Sequence, residues 1–282
     1  MDFDEIRRHT IVALFSDDAL LEELVLKGGN AISLIYGFGN RASLDLDFSL
    51  ENDFEDVADA ERRIFKALET RFSQVGLTVF DTKFGARPRN ADKGSRWGGY
   101  QFVFKLIAKS KEGELQGNLE GIRRQALIVG PAQQRIFTVD LSKHEFCGGK
   151  VERELDNYTI YVYTPEMIVI EKLRAICQQM RRYLLNPAKR GRARDFYDIH
   201  LLVTAKGIDL TTNENVRLLR DIFQAKDVPL DLLESIREEH EIHRIDWPSV
   251  RDSVSPRLGE FDYYLDFVSG EVARILEALR VE

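Results

Sequence analysis

The chain has 282 residues, of which 44% are hydrophobic, 10% aromatic and 31% charged. This allows one large domain or two smaller ones and excludes general disorder. A net charge of −7 argues against coating nucleic acid by bulk electrostatics, so phosphate binding would need a local basic patch. No apolar run approaches the ~20 residues of a membrane span. The N-terminal MDFDEIRRHT lacks a signal core, and Cys147 and Cys177 have no metal-ligand or CxxC spacing. A reduced, cytoplasmic protein with no membrane partner is expected.

In chain order, the helical spacing of Ile11, Leu14, Phe15, Leu20, Leu21 and Leu24 predicts one or two helices over residues 6–24, leading into a buried strand at 24–26. Gly28-Gly29 stops that strand. A short helix is expected over 30–36 with Asn30 as its cap, then a turn at Gly37-Phe38-Gly39-Asn40 and a strand over 43–50. An amphipathic helix follows at 54–75, and strands at 77–84, 99–108, 125–129 and 135–141. KFGARPRNADKGSRWGG reads as an exposed basic loop and KSKEGELQGN as a hairpin-like connection. After YTIYVYTPEM the character changes: Thr164 reads as a cap, Pro165 as the first helical residue, and the remainder as helices. The pattern predicts an α/β (α+β) chain with a mixed-sheet domain over 1–158 and a helical domain over 159–282.

Strand alternation over 43–50 places Ser43, Asp45, Asp47 and Ser49 on one face, with Leu44, Leu46, Phe48 and Leu50 toward a core. Two carboxylates at a repeat of ~7 Å repel each other, and a divalent cation between them removes that penalty. Mg²⁺, with Mn²⁺ as an alternative, suits an all-oxygen site that leaves room for substrate phosphates. Gly28 and Gly29 offer backbone amides without side-chain bulk, and a helix starting just afterwards points further N–H groups at an anion. A nucleotide held by its phosphates between a glycine turn and a metal is the arrangement that suits phosphoryl or nucleotidyl transfer.

KGGNAISLIYGFGNRASLDLDF resembles the signature of the AbiEii/AbiGii toxin family of nucleotidyltransferases, and EKLRA and RARDFYDI resemble its downstream motifs in the expected order. The resemblance covers residues 24–202. It implies a polymerase-β-like core, an NTP as substrate, catalytic roles for Asp45, Asp47, Lys172 and Asp195, and nucleotide contacts at Gly28, Gly29, Asn30, Arg41, Ser43 and Lys172. Asn30 departs from the family pattern, where a hydroxyl residue is usual; its amide would replace one phosphate hydrogen bond. Lys172 would offset charge on the leaving pyrophosphate. Asp198 would help Asp195 or pair with Arg194, and Asp140 is the candidate third metal ligand or a strand-end turn residue. The resemblance also implies the toxin of a toxin–antitoxin or phage-defence pair, with an antitoxin as partner and tRNA as acceptor.

Residues 171–198 hold five more basic than acidic side chains, a patch that could meet a triphosphate or RNA, with Tyr183 or Tyr197 for base stacking. Lys27 reads equally as a surface charge. His240 and His243 have no third partner for a metal. Two alternatives stay open: transfer to a small molecule or protein, and an inactive nucleotide- or RNA-binding module.

Overall fold

The computed structural model describes residues 1–38, 45–89, 97–115, 117–130, 133–185, 189–254 and 258–281. Arg41 and Ser43 lie outside them. The described chain forms two compact units, residues 1–35 with 45–162 and residues 36–38 with 163–281.

In the first unit, α1 (Phe3–Phe15) and α2 (Asp18–Glu23) precede β1 (Leu24–Lys27). Then come α3 (Gly28–Asn30), continued by a π-helical turn at Ala31–Ile35, β2 (Leu46–Leu50) and α4 (Val57–Gln74). β3 (Leu77–Arg87), β4 (Gly99–Ala108), α5 (Lys109–Leu115), α6 (Leu119–Gln125), β5 (Phe137–Ser142), β6 (Val151–Leu155) and β7 (Tyr158–Val162) complete it. Among the described residues seven strands make one mixed sheet in the order β3-β4-β5-β2-β1-β7-β6, with β2–β5 and β1–β7 parallel.

Period-2 alternation decides what each sheet face does. Leu46, Phe48, Phe102, Phe104, Phe137 and Val139 are essentially inaccessible and share one face. α1 and α4 supply Phe15 against Phe48 at 5.9 Å and Phe72 against Phe104 at 5.8 Å between ring centroids. Burying each such ring stabilises by roughly 1.5–3 kcal/mol. The opposite face carries Lys27, Asp47, Asp140 and Gln101, because β1–β2 pairs Lys27 with Asp47, β2–β5 pairs Asp47 with Asp140, and β4–β5 pairs Gln101 with Asp140.

Several local expectations are corrected. Residues 125–129 are not a strand: α6 runs into Gln125, and beyond it Leu127 N–H donates to Leu106 C=O at 2.8 Å without continuing as a ladder. The segment after Ala108 begins with a helix, α5, rather than a hairpin turn. Residues 151–162, read only as a change of character, form the β6–β7 hairpin, turned by Asp156 and Asn157 at φ 52° and 65°; two left-handed residues suit a type I′ turn. Asn30 is not a helix cap. The helix begins two residues earlier, because Gly28 takes φ +68°, a conformation open to glycine at little cost.

In the second unit α7 (Pro165–Cys177) starts as expected, with Thr164 Oγ1 accepting from Met167 N–H at 3.2 Å and Pro165 in the first turn. α8 (Ala193–Lys206) closes at Gly207 in the left-handed region. α9 (Asn213–Ala225), a 3₁₀ segment at Leu230–Glu239, α10 (His240–Arg244), α11 (Trp247–Ser253) and α12 (Phe261–Val281) follow. Among the described residues no helix is long and apolar enough to cross a membrane.

Candidate active site

The first unit builds its polar site on the open face of the sheet. Parallel pairing of β2 and β5 sets Asp47 beside Asp140, and Asp45 immediately precedes β2. Burial raises the carboxyl pKa of Asp45, and the charge of Asp140 raises it further. Burial also raises Asp140, against the pull of a hydrogen bond from Gln101 and the charges of Arg87 and Lys27. These are partly desolvated acids that resist ionising together, the condition a cation relieves. Among the described residues no three or more His, Cys, Asp or Glu side chains gather into a metal-holding group. Asp45 and Asp47 are the acids that could hold a cation here, which would complete its shell from water and substrate oxygens, as Mg²⁺ commonly does. The oxygen-only donor set fits Mg²⁺ or Mn²⁺. Asp140 stands as a neighbour of the pair, its Oδ1 accepting from Gln101 Nε2 at 2.9 Å.

Gly28 is shaped around Asp47. A Cβ at position 28 would stand 2.7 Å from Asp47 Oδ2, so glycine is required both for its positive φ and for the carboxylate's approach. Asn30 does different work from that expected. It is wholly buried, its Oδ1 accepts from Arg7 Nη1 at 2.6 Å, and its Nδ2 donates to the backbone carbonyl of Asp45 at 2.7 Å. With its oxygen and one N–H of its amide engaged, Asn30 positions the chain entering β2.

Sequence reasoning missed three members of this site, Arg7, Glu145 and Gln101, and left Lys27 open as a site or a surface charge. Arg7, 1% exposed, anchors Asn30; its signal was a charge within the apolar stripe of α1. Lys27 is buried rather than solvated, with Nζ 3.3 Å from Oε1 of buried Glu145. Glu145 lies outside any regular element, with no periodicity to flag it, while its N–H donates to Leu50 C=O at 3.0 Å. Gln101 was hidden in an ordinary strand pattern. Together Lys27, Asp47, Asp140 and Gln101 form a cross-strand row over β1, β2, β5 and β4.

The second unit holds a separate buried cluster. Lys172 Nζ lies 2.8 Å from Asp195 Oδ1 and 2.9 Å from Asp198 Oδ2, all three residues being buried. Burial opposes the ammonium, yet the two carboxylates outweigh it and raise the Lys172 pKa. Burial likewise opposes the Asp195 charge, but Arg192 and then Lys172 hold its pKa low. Arg192 Nε is 2.9 Å from Asp195 Oδ2, an ion-pair distance without hydrogen-bond alignment. The segment leading into α8 is pinned from behind: Arg192 N–H donates to His243 Nδ1 at 3.2 Å. A Cβ at Gly191 would meet Asp246 Cβ at 2.5 Å and Ile242 O at 3.1 Å. Asp198 thus partners Lys172 instead of Arg194.

The basic stretch 171–198 is largely spent internally. Arg174 pairs with Glu171 at 3.0 Å and Arg182 with Asp231 at 2.7 Å, while Lys189 donates to the carbonyls of Gln178 and Tyr183. Tyr183 is 4% exposed, which removes it as a base-stacking platform. Tyr197 packs edge-on against Tyr264.

Two solved structures share the fold over nearly the whole chain. One, JHP933 from Helicobacter pylori, has a TM-score of 0.52 at 15% identity, covering 98% of this chain and 91% of that one. The other, an H. pylori protein provisionally described as a nucleotidyltransferase, has a TM-score of 0.51 at 17% identity, covering 99% and 96%. No curated protein matches the sequence. The class is that of the nucleotidyltransferases. More specifically, the profile of the nucleotidyl transferase AbiEii toxin family of type IV toxin–antitoxin systems matches residues 10–267, and the chain belongs to that family.

Proposed function

We propose that this protein moves a nucleotide from an NTP to an acceptor hydroxyl, releases pyrophosphate, and acts as a toxin by modifying RNA, with tRNA acceptor ends as the target. The observation that carries this reading is the placement of Asp47 beside Asp140, with Asp45 just ahead of the same strand and a glycine turn packed on Asp47. A bound Mg²⁺, or Mn²⁺ in its place, supplies charge neutralisation and Lewis acidity at the α-phosphate.

Asp45 and Asp47 hold that ion, and Asp140 adds negative charge beside it. Gly28 and Gly29 leave backbone amides clear for phosphate oxygens. Lys27, fixed by Glu145, limits the repulsion along the carboxylate row. Arg7 and Asn30 hold the Asp45 carbonyl so that the acid enters β2 in one position. Lys172 and Asp195, with Asp198 as helper, carry the catalytic work that the family resemblance assigns them. Support for their part is that the lysine is kept protonated and the acid ionised. The family implies a cognate antitoxin as the partner that silences the activity.

The test is incubation of purified protein with each α-labelled NTP, Mg²⁺ and total RNA, with the Asp45→Ala/Asp47→Ala variant as control. Label is expected in RNA and absent with the variant. Label in protein or in a small product would reassign the acceptor. No incorporation, together with cellular toxicity retained by the double variant, would make the protein a binding module.

A further inference from the structure

We propose that the groove at the β3–β4 end of the sheet binds the phosphodiester backbone of single-stranded acceptor RNA and leads its terminal hydroxyl toward the aspartates; this rests on the nucleotidyl-transfer reading above. The groove has a volume of about 280 Å³ and is lined by Lys83, Gly85, Arg87, Arg89, Gln101 and Val103, among others. Antiparallel pairing sets Lys83 opposite Val103, Gly85 opposite Gln101 and Arg87 opposite Gly99. Lys83, Gly85 and Arg87 therefore share the sheet face that carries Gln101, Asp140 and Asp47.

Three features favour an RNA strand over a small acceptor. Lys83, Arg87 and Arg89 are exposed, and among the described residues only Arg87 of the three is tied to a carboxylate, Asp140, which its charge reaches and to which Gln101 links it, although acidic residues outnumber basic ones in the chain. Arg182 and Arg174, by contrast, are each spent on a carboxylate, and a run of exposed cations along one groove marks a surface for anions. The trio is also extended: four residues separate Lys83 from Arg87, about 13 Å along a strand, a track for successive phosphates rather than a cup for one. At its middle, a Cβ at Gly85 would meet nothing within 4 Å, leaving the floor open.

The groove is also wired to the carboxylates. Arg87 donates to Gln101 Oε1 through Nε at 3.2 Å and Nη2 at 2.8 Å, and Gln101 donates onward to Asp140 Oδ1 at 2.9 Å. Arg87 is thus oriented with the rest of its guanidinium fork available to a phosphate. The glycine turn follows β1, on the other side of Asp47 from β5. Donor phosphates and acceptor strand would then approach the aspartates from opposite sides, as an in-line displacement needs.

The test is fluorescence anisotropy of a short fluorescein-labelled single-stranded RNA against salt, for wild type, Lys83→Gln/Arg89→Gln and Asp45→Asn/Asp47→Asn, with calorimetry of NTP binding in Mg²⁺ alongside. The groove variant should bind RNA about tenfold more weakly, with the salt slope reduced by about 0.7 per cation removed, and keep wild-type nucleotide binding and melting temperature. The aspartate variant should keep RNA binding and lose Mg²⁺-dependent nucleotide binding. Unchanged RNA affinity and slope in the groove variant would overturn the assignment. So would displacement of the RNA by polyglutamate as readily as by unlabelled RNA, which would mark a site for acidic protein. If the groove variant loses RNA while the aspartate variant keeps nucleotide binding, the groove stands and the aspartates' role falls.

Discussion

Two single residues carry most of the geometry around the aspartates. Gly28 combines a left-handed backbone with contact to Asp47 Oδ2. Alanine there adds about 1–2 kcal/mol of backbone strain and a methyl that must push the carboxylate away. Gly28→Ala is therefore expected to weaken Mn²⁺ binding, followed by electron paramagnetic resonance, by more than it lowers the melting temperature; unchanged Mn²⁺ affinity would argue that Asp47 is not a ligand. Asn30 contributes through hydrogen bonds alone. Asn30→Ala strands a buried Arg7 guanidinium and releases the Asp45 carbonyl, which should destabilise by about 2–4 kcal/mol in urea unfolding. Asn30→Asp, which restores an acceptor for Arg7 but not the donor to Asp45, should recover part of that loss.

At the scale of elements, α7 and α8 are joined by an ion triad that no solvent screens. Lys172→Met removes the cation shared by two buried carboxylates, leaving Asp195 only Arg192 among the described residues, and should cost about 3–5 kcal/mol of stability. Salt should not alter that cost, since buried charges escape screening. The segment before α8 makes a second, pH-dependent prediction. Burial pushes the His243 pKa down to about 4 from its ordinary 6.5, and its Nδ1 accepts from Arg192 N–H, which requires the neutral ring. The unfolded chain takes up this proton first. Stability is complete above about pH 6.5 and falls toward pH 4, by up to about 3 kcal/mol. Asp195, whose pKa is lowered in the fold, adds a loss only below the ordinary carboxylate range. His243→Gln should flatten the unfolding midpoint between pH 6.5 and 4, and an unchanged profile would assign the acid sensitivity elsewhere.

The same scale shows what could be read from the sequence. The limits of β4, the Thr164–Pro165 start of α7 and the alternating core of β2 follow from local pattern, since periodicity and capping chemistry are properties of neighbouring residues. The row Lys27, Asp47, Asp140, Gln101 could not be read, because it exists only through strand register between separate segments, the link from Asp47 to Asp140 spanning most of the first unit. Asn30 illustrates the same limit. The family resemblance implied a phosphate contact there, and nothing in the local pattern showed that Arg7, more than twenty residues earlier, engages its amide oxygen.

At the scale of the whole molecule, the chain is acidic overall, and the RNA contact proposed above would be confined to the cationic β3–β4 groove rather than spread over its surface. The excess of basic residues at 171–198 had pointed elsewhere. Spatial pairing with Asp231 and Glu239, remote in sequence, neutralises much of that stretch, so local charge counts overstate the surface field. What joins the family assignment to chemistry is the Asp45–Asp47 pair. Calorimetric titration of NTP into the protein, with and without Mg²⁺, tests it most directly. Wild type should bind nucleotide only when the cation is present, and Asp45→Asn/Asp47→Asn should fold normally and bind none. Equal nucleotide binding by the folded double variant, or by wild type in chelator, would contradict the role given to these two acids.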